Sequence, residues 1–169
     1  MNNAIKKNIL AIIILTSIYG YGQQELSQKV LNEMKYMVEE EKVARDVYEY
    51  LDELWDLRIF NNISQSEQRH MEMIENLLNT NKIAYKISDQ RGVFYNKDLQ
   101  KMYDNLIEKG AKSLKDALQV GKLIEVTDIK DLEEAISNTS DAYITEVYSN
   151  LLRASQNHLR AFNRQLYRY

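Results

Sequence analysis

Proline is absent from this chain of 169 residues, and two of its five glycines, Gly20 and Gly22, sit at the extreme N-terminus. Proline and glycine interrupt helices and build tight turns, so a chain nearly free of them from residue 23 onward is confined to long helices with few reversals. A sheet protein would need many turn residues, and they are not there. The length suits one domain of ~100–200 residues. Charged residues at 28% and hydrophobic ones at 44% give a globular balance rather than a disordered one.

Four segments carry apolar residues at helical spacings of three and four. The first, residues 25–56, has the stripe Met34, Met37/Val38, Glu41, Ala44, Tyr48, Leu51 and Trp55. In the second, residues 60–80, the stripe is Ile63, Glu67, His70, Met73/Ile74 and Leu77. Residues 81–112 break the pattern: Ser88, Asp89 and Gly92 mark a loop, a short helix is expected over 98–109, and Gly110 is its expected C-terminal stop. The third segment, 113–137, opens on Ser113 as N-cap and carries Leu114, Leu118, Gly121, Glu125, Ile129, Leu132 and Ile136 on one face. After the cap cluster Asn138 to Asp141, the fourth runs over 141–167 with Ile144, Val147, Leu151, Ala154, His158, Ala161/Phe162 and Gln165 inward. Two helical pairs with short internal connections, joined by one long connection, make an all-α, ferritin-like four-helix bundle with its crossover between the second and third helices.

Residues 1–22 have the layout of a secretory signal peptide: Lys6 and Lys7, an apolar stretch from Ile9 to Ile18, then Gly20-Tyr21-Gly22 as a small-x-small end. The apolar stretch is short for a membrane span. The expectation is an exported domain, residues 23–169, periplasmic or extracellular, with no membrane span after signal removal; an uncleaved anchor is the alternative. A net charge of −3 implies no broad basic face for nucleic acid. The absence of cysteine excludes disulfides, thiolate metal sites, a cysteine nucleophile and a lipobox anchor. No phosphate-cradling glycine loop or serine triad is present.

Both histidines of the chain fall on inner stripes. Glu67 and His70, three apart, project from one side of a helix and can offer a carboxylate oxygen and an imidazole nitrogen to one ion. Glu41, Glu125 and His158 hold mid-stripe positions on the other three helices. Burying lone carboxylates costs several kcal/mol each unless they are paired or metal-bound, and an ion between the helices would attract all of them at once. Oxygen and imidazole donors suit iron or manganese, and also accept zinc.

Each residue also has an ordinary reading. Ser64-x-x-Glu67 has capping-box spacing, although Asn61 and Asn62 offer an earlier cap. Glu39-Glu40-Glu41 is an acidic run of the kind usually found on a solvated face, with only Glu41 on the stripe. Thr127-Asp128 could cap a new helix, which would break the third segment near Glu125. His158 could be a hydrogen-bonded core histidine, and Tyr48 a packing residue with its hydroxyl on a partner. Arg153, Arg160, Arg164 and Arg168 fit a solvated basic face near a helix C-terminus.

The strings Glu41-Lys-Val-Ala-Arg-Asp-Val-Tyr48, Ser66-Glu-Gln-Arg-His-Met71, Gly121-Lys-Leu-Ile-Glu-Val-Thr-Asp-Ile129 and Asn157-His-Leu-Arg-Ala-Phe162 resemble the ferritin-like family catalogued as domain of unknown function 2202. The resemblance spans about residues 30–166. More distantly the chain is similar to rubrerythrins, whose first helix has Glu-x-x-Ala-Arg-x-x-Tyr and whose second has Glu-x-x-His. That resemblance implies a metal-dependent redox role, with Glu41, Glu67, His70, Glu125 and His158 at ligand positions. Two positions depart from the rubrerythrin pattern. Lys122 stands where the third helix has a second glutamate, and Ser155 stands where the fourth has the glutamate of Glu-x-x-His. One carboxylate of the usual four is thereby missing, which leaves one ion or an asymmetric pair.

The expected function is that of an exported iron-binding oxidoreductase of peroxidase or ferroxidase type, with iron as cofactor and manganese or zinc as substitutes. Lacking a cysteine-ligated iron domain, it would need an external electron donor. A homodimer is compatible with the sequence. The rivals are a non-catalytic bundle that sequesters or senses a metal, and a metal-free helical interaction domain whose inner Glu and His residues form a hydrogen-bond network.

Overall fold

The computed structural model describes residues 26–169, so the signal-peptide reading of residues 1–22 lies outside the described residues. The described residues form five α-helices and no strand: α1 Gln28–Trp55, α2 Arg58–Thr80, α3 Lys97–Gly110, α4 Leu114–Asn138 and α5 Ala142–Leu166. Four of them begin on a side chain that accepts from the exposed N–H groups of the first turn. Ser27 accepts from Val30, Asn96 from Asp98 and Leu99, Ser113 from Asp116, and Asp141 from Tyr143 and Ile144.

The start of α2 differs from expectation. Asn61 and Asn62 lie inside the helix, and Leu57 precedes it with no side-chain cap. A sharp reversal at Asp56, which takes left-handed backbone (φ 46°) and closes α1 through its N–H on the Asp52 carbonyl, brings the chain straight from one helix into the next. Ser64 therefore sits mid-helix, with its hydroxyl on the Asn61 carbonyl, and forms no capping box with Glu67. α4 likewise runs unbroken through Glu125, because Thr127 turns its hydroxyl back onto the Leu123 carbonyl at 3.1 Å rather than capping a new helix.

α1 packs on α2, α2 on α5, α5 on α4 and α4 on α1, closing a four-sided arrangement, while α3 lies across α1 and α4. No helix among the described residues is long and apolar enough to cross a membrane. Gly121 sets the α4–α5 approach: a Cβ there would lie 2.3 Å from the Phe162 ring. Gly110 has a similar task. It is the last residue of α3 and is buried, Ala111 after it keeps right-handed backbone, and a Cβ would stand 2.7 Å from Leu51 Cδ2. It permits close contact with α1, where Trp55 Nε1 donates to its carbonyl at 3.0 Å, instead of providing a left-handed stop.

The acidic run does not form a solvated face. Glu39, Glu40 and Glu41 are all buried. Glu39 accepts from the backbone N–H groups of Tyr95 and Asn96 and so fixes the entry to α3. One turn on, the wholly buried Lys42 pairs with Asp46 and donates to the Gln90 carbonyl at 2.9 Å, while Asp46 accepts the Gly92 N–H at 2.8 Å. These charges on α1 hold the long connection against the helices, and the conformation it needs is supplied by Gly92 at φ 75°.

Candidate metal centre

The apolar interior falls into two clusters. One is built around Tyr48, Phe60 and Phe162, the other around Met34, Leu77 and Leu151. All five sequence-predicted residues belong to neither: Glu41 from α1, Glu67 and His70 from α2, Glu125 from α4 and His158 from α5 come together in two contacting sets. Each helix contributes at the point where its inner stripe is interrupted by a polar residue, so the sequence pattern itself sets the level of the site.

Glu67 stands in the middle. Its Oε2 lies 2.7 Å from His70 Nδ1, and its Oε1 lies 3.0 Å from His158 Nδ1. Outside this pair of contacts, His70 Nδ1 is 3.3 Å from Glu41 Oε2, and His158 Nδ1 is 3.4 Å from Glu125 Oε2. The two rings face each other with centroids 5.8 Å apart. The result is two carboxylate–imidazole triads, Glu41–Glu67–His70 and Glu67–Glu125–His158, whose donor atoms within each triad all lie within 4.8 Å of one another. Tyr48 closes one end. Its hydroxyl donates to Glu125 Oε1 at 2.6 Å, which fixes that carboxylate's orientation.

Burial and mutual charge set the proton positions. Burial opposes the imidazolium of His70, but the Glu41 carboxylate and then Glu67 raise it to about 11. His158 is raised against the same desolvation to about 9 by Glu125 and Glu67. Burial would raise Glu67 too, yet the two histidines hold it down at about 2. Glu125, desolvated and beside the Glu67 charge, is pushed up to about 7, and burial raises Glu41 as well. Protons thus occupy the space between the carboxylates, in positions where a cation would compete for the same lone pairs.

The donor set fits a metal. Glu41 Oε1, Glu67 Oε1 and His158 Nδ1 are buried without a hydrogen-bond partner, the last two because their 3.0 Å approach is misdirected for a hydrogen bond. Buried polar atoms in native proteins are nearly always satisfied, so three unsatisfied ones converging on two triads call for a ligand. Oxygen and nitrogen donors without sulfur suit iron or manganese and accept zinc. A cavity of about 100 Å³ reaches the carboxylates from between α1 and α4, with Met102 and Leu106 of α3 and the exposed Leu123 on its outer side.

Lys122 is exposed, so its ammonium does not face the site. Ser155 is fully buried one turn before His158 and gives its hydroxyl to the Leu151 carbonyl at 3.0 Å. Sequence reasoning missed two buried acids beside the centre, Glu40 and Asp128. Asp128 was legible in principle: Gly121, Glu125, Asp128, Leu132 and Ala135 make as regular a stripe as the one through Ile129 and Ile136, and it is this stripe that is buried.

Residues 31–168 match the family described as an uncharacterized protein domain, DUF2202. An uncharacterized protein of Methanocaldococcus jannaschii is 44% identical over 157 residues, covering 92% of this chain and 85% of that protein. The crystal structure of that same protein, titled hypothetical, superposes with a TM-score of 0.85 at 45% identity, over 87% of this chain and 85% of the other.

Proposed function

The chain belongs to the DUF2202 family, and we propose that it is an exported ferritin-like four-helix-bundle metalloprotein, an iron-dependent oxidoreductase of peroxidase or ferroxidase type. The observation that carries this reading is the pair of triads sharing Glu67, buried except for the partly exposed His158, with three donor atoms left unsatisfied. Export rests on Lys6, Lys7 and the apolar stretch Ile9 to Ile18.

Glu41, Glu67 and His70 would hold one ion, and Glu67, Glu125 and His158 a second position beside it. Iron held there supplies redox chemistry toward oxygen or peroxide. Glu67 would serve both positions, since each of its oxygens faces a different histidine. Tyr48 keeps Glu125 oriented, and its own proton stays in place because burial and the Glu125 and Glu67 charges hold the phenol well above its ordinary range. The cavity between α1 and α4, about 100 Å³ with apolar walls at Val43, Ala44, Leu106 and Ile124, suits a small neutral oxidant. Without cysteine the chain has no iron–sulfur centre of its own, so electrons come from an external donor.

Anaerobic loading with ferrous iron followed by addition of peroxide tests this. Peroxide consumption that disappears in Glu67→Ala supports it, and equal consumption by the variant refutes it. The 2.7 Å contact of His70 with Glu67 favours a second reading, a metal-free helical domain held by its own Glu–His pairs. That reading predicts neither iron uptake nor turnover in the same experiment.

A further inference from the structure

Asp128 lies on α4 one turn beyond Glu125, and on the same face. It is 6% exposed, and its Oδ1 has no hydrogen-bond partner. It lines one cavity with Glu40, Glu41 and Glu125, where burial and then their charges raise its carboxyl, and it abuts Ser155. The Ser155 proton is already committed to the Leu151 carbonyl. An aspartate in such a place is costly on every count: desolvated, beside like charges and short of a donor. Nothing in the Glu–His pairing described above uses it.

Its neighbours show what it can do. Glu41 belongs to one triad and Glu125 to the other, and Asp128, a member of neither, lines the same cavity as Glu41, Glu67 and Glu125. Charge balance points the same way. Two divalent ions with neutral imidazoles would face only the three carboxylates Glu41, Glu67 and Glu125, and a fourth carboxylate brings the buried centre to neutrality. The serine at position 155 is small and fully buried, and on α5 it lies against Asp128, one turn before His158.

We propose that Asp128 supplies the fourth carboxylate of a two-ion centre, reaching from α4 into the cavity it shares with Glu41, Glu67 and Glu125. The assignment rests on the metal-binding reading of the Glu–His site. It makes the centre complete in carboxylates by moving one of them from the fourth long helix to the third.

The test is reconstitution of the full chain with manganous ion, desalting, and measurement of ions per chain by elemental analysis together with electron paramagnetic resonance. Wild type binds two ions and shows the spectrum of an exchange-coupled pair. Asp128→Asn binds one ion with the spectrum of an isolated one, and circular dichroism shows it folded without metal, because the isosteric amide removes a charge that burial already disfavours. Asp128→Asn combined with Ser155→Glu regains the second ion, which separates loss of a ligand from a general disturbance of the site. Two ions retained in Asp128→Asn, a wild type limited to one, or no recovery in the double variant overturns the assignment of Asp128 and leaves the metal reading standing. A wild type that binds none overturns the metal reading itself.

Discussion

Replacing Glu67 by glutamine removes one charge from between two imidazolium rings whose centroids are 5.8 Å apart, while leaving the side-chain shape unchanged. In the metal-free protein each Glu67 oxygen faces a different histidine, at 2.7 and 3.0 Å. An amide offers one oxygen and one NH2 group and carries no charge, so it can present an oxygen to only one of the two imidazolium rings and turns its NH2 toward the other. That imidazolium then loses its closer carboxylate and keeps only the more distant one, Glu41 at 3.3 Å from His70 or Glu125 at 3.4 Å from His158. Breaking a buried ion pair costs about 3–5 kcal/mol, which for a chain of this size lowers the melting temperature by roughly 6–20 °C. The assay is thermal and urea unfolding of metal-free wild type and Glu67→Gln at neutral pH, with the histidines titrated by NMR. At least one of them should fall from its raised position, about 11 for His70 or about 9 for His158, toward the ordinary 6.5. A loss below about 1 kcal/mol, the scale of an exposed pair, with both histidines unmoved, would refute the placement of Glu67 at the centre of the charge network.

Asp46→Ala strands the buried Lys42 ammonium and frees the Gly92 N–H; a destabilisation of about 3–5 kcal/mol and faster proteolysis within residues 88–95 are expected, measured by urea unfolding and limited digestion. Gly121→Ala drives a methyl to 2.3 Å from the Phe162 ring; a loss of about 1–3 kcal/mol is expected in the same unfolding assay, and an unchanged midpoint would contradict the tight α4–α5 contact. The pH profile follows from the raised groups. Glu125 goes from 4.5 to about 7 and His158 from 6.5 to about 9 on folding. The folded state therefore keeps protons that the unfolded chain releases, and their stabilisation is lost as pH rises through those windows. The metal-free melting temperature should decline from mildly acid to mildly alkaline pH, and the stabilisation on adding metal should grow over the same range, because fewer protons compete for the donors.

Much of this was legible before any coordinates. Missing prolines, cap residues at Ser113 and Asp141, and stripes interrupted by Glu41, Glu67, His70, Glu125 and His158 located the helices and brought the five residues to one level. What the sequence left hidden depends on helix rotation and on the long connection. A small turn of α4 about its axis buries Asp128 in place of Ile129, and a similar turn of α5 buries Tyr148 and Ser155 while leaving Ala154 and Gln165 half-buried. Periodicity alone cannot fix an angle of that size, since two overlapping stripes fit equally well. Glu39 and Glu40 read as surface charges because the partners that bury them, the backbone of Tyr95 and Asn96 and the carboxylates near α4, are remote in sequence. Gly110 carried the right residue type for a helix stop, and only the packing against Leu51 shows its other use.

The central claim, a metal centre organised by Glu67, is tested most directly by elemental analysis of wild type and Glu67→Gln purified side by side without chelators. The expected result is one or two iron ions per wild-type chain and essentially none in the variant. Less than about a tenth of an ion per wild-type chain, persisting after incubation with ferrous, manganous and zinc ions, would mean an empty site and would contradict it.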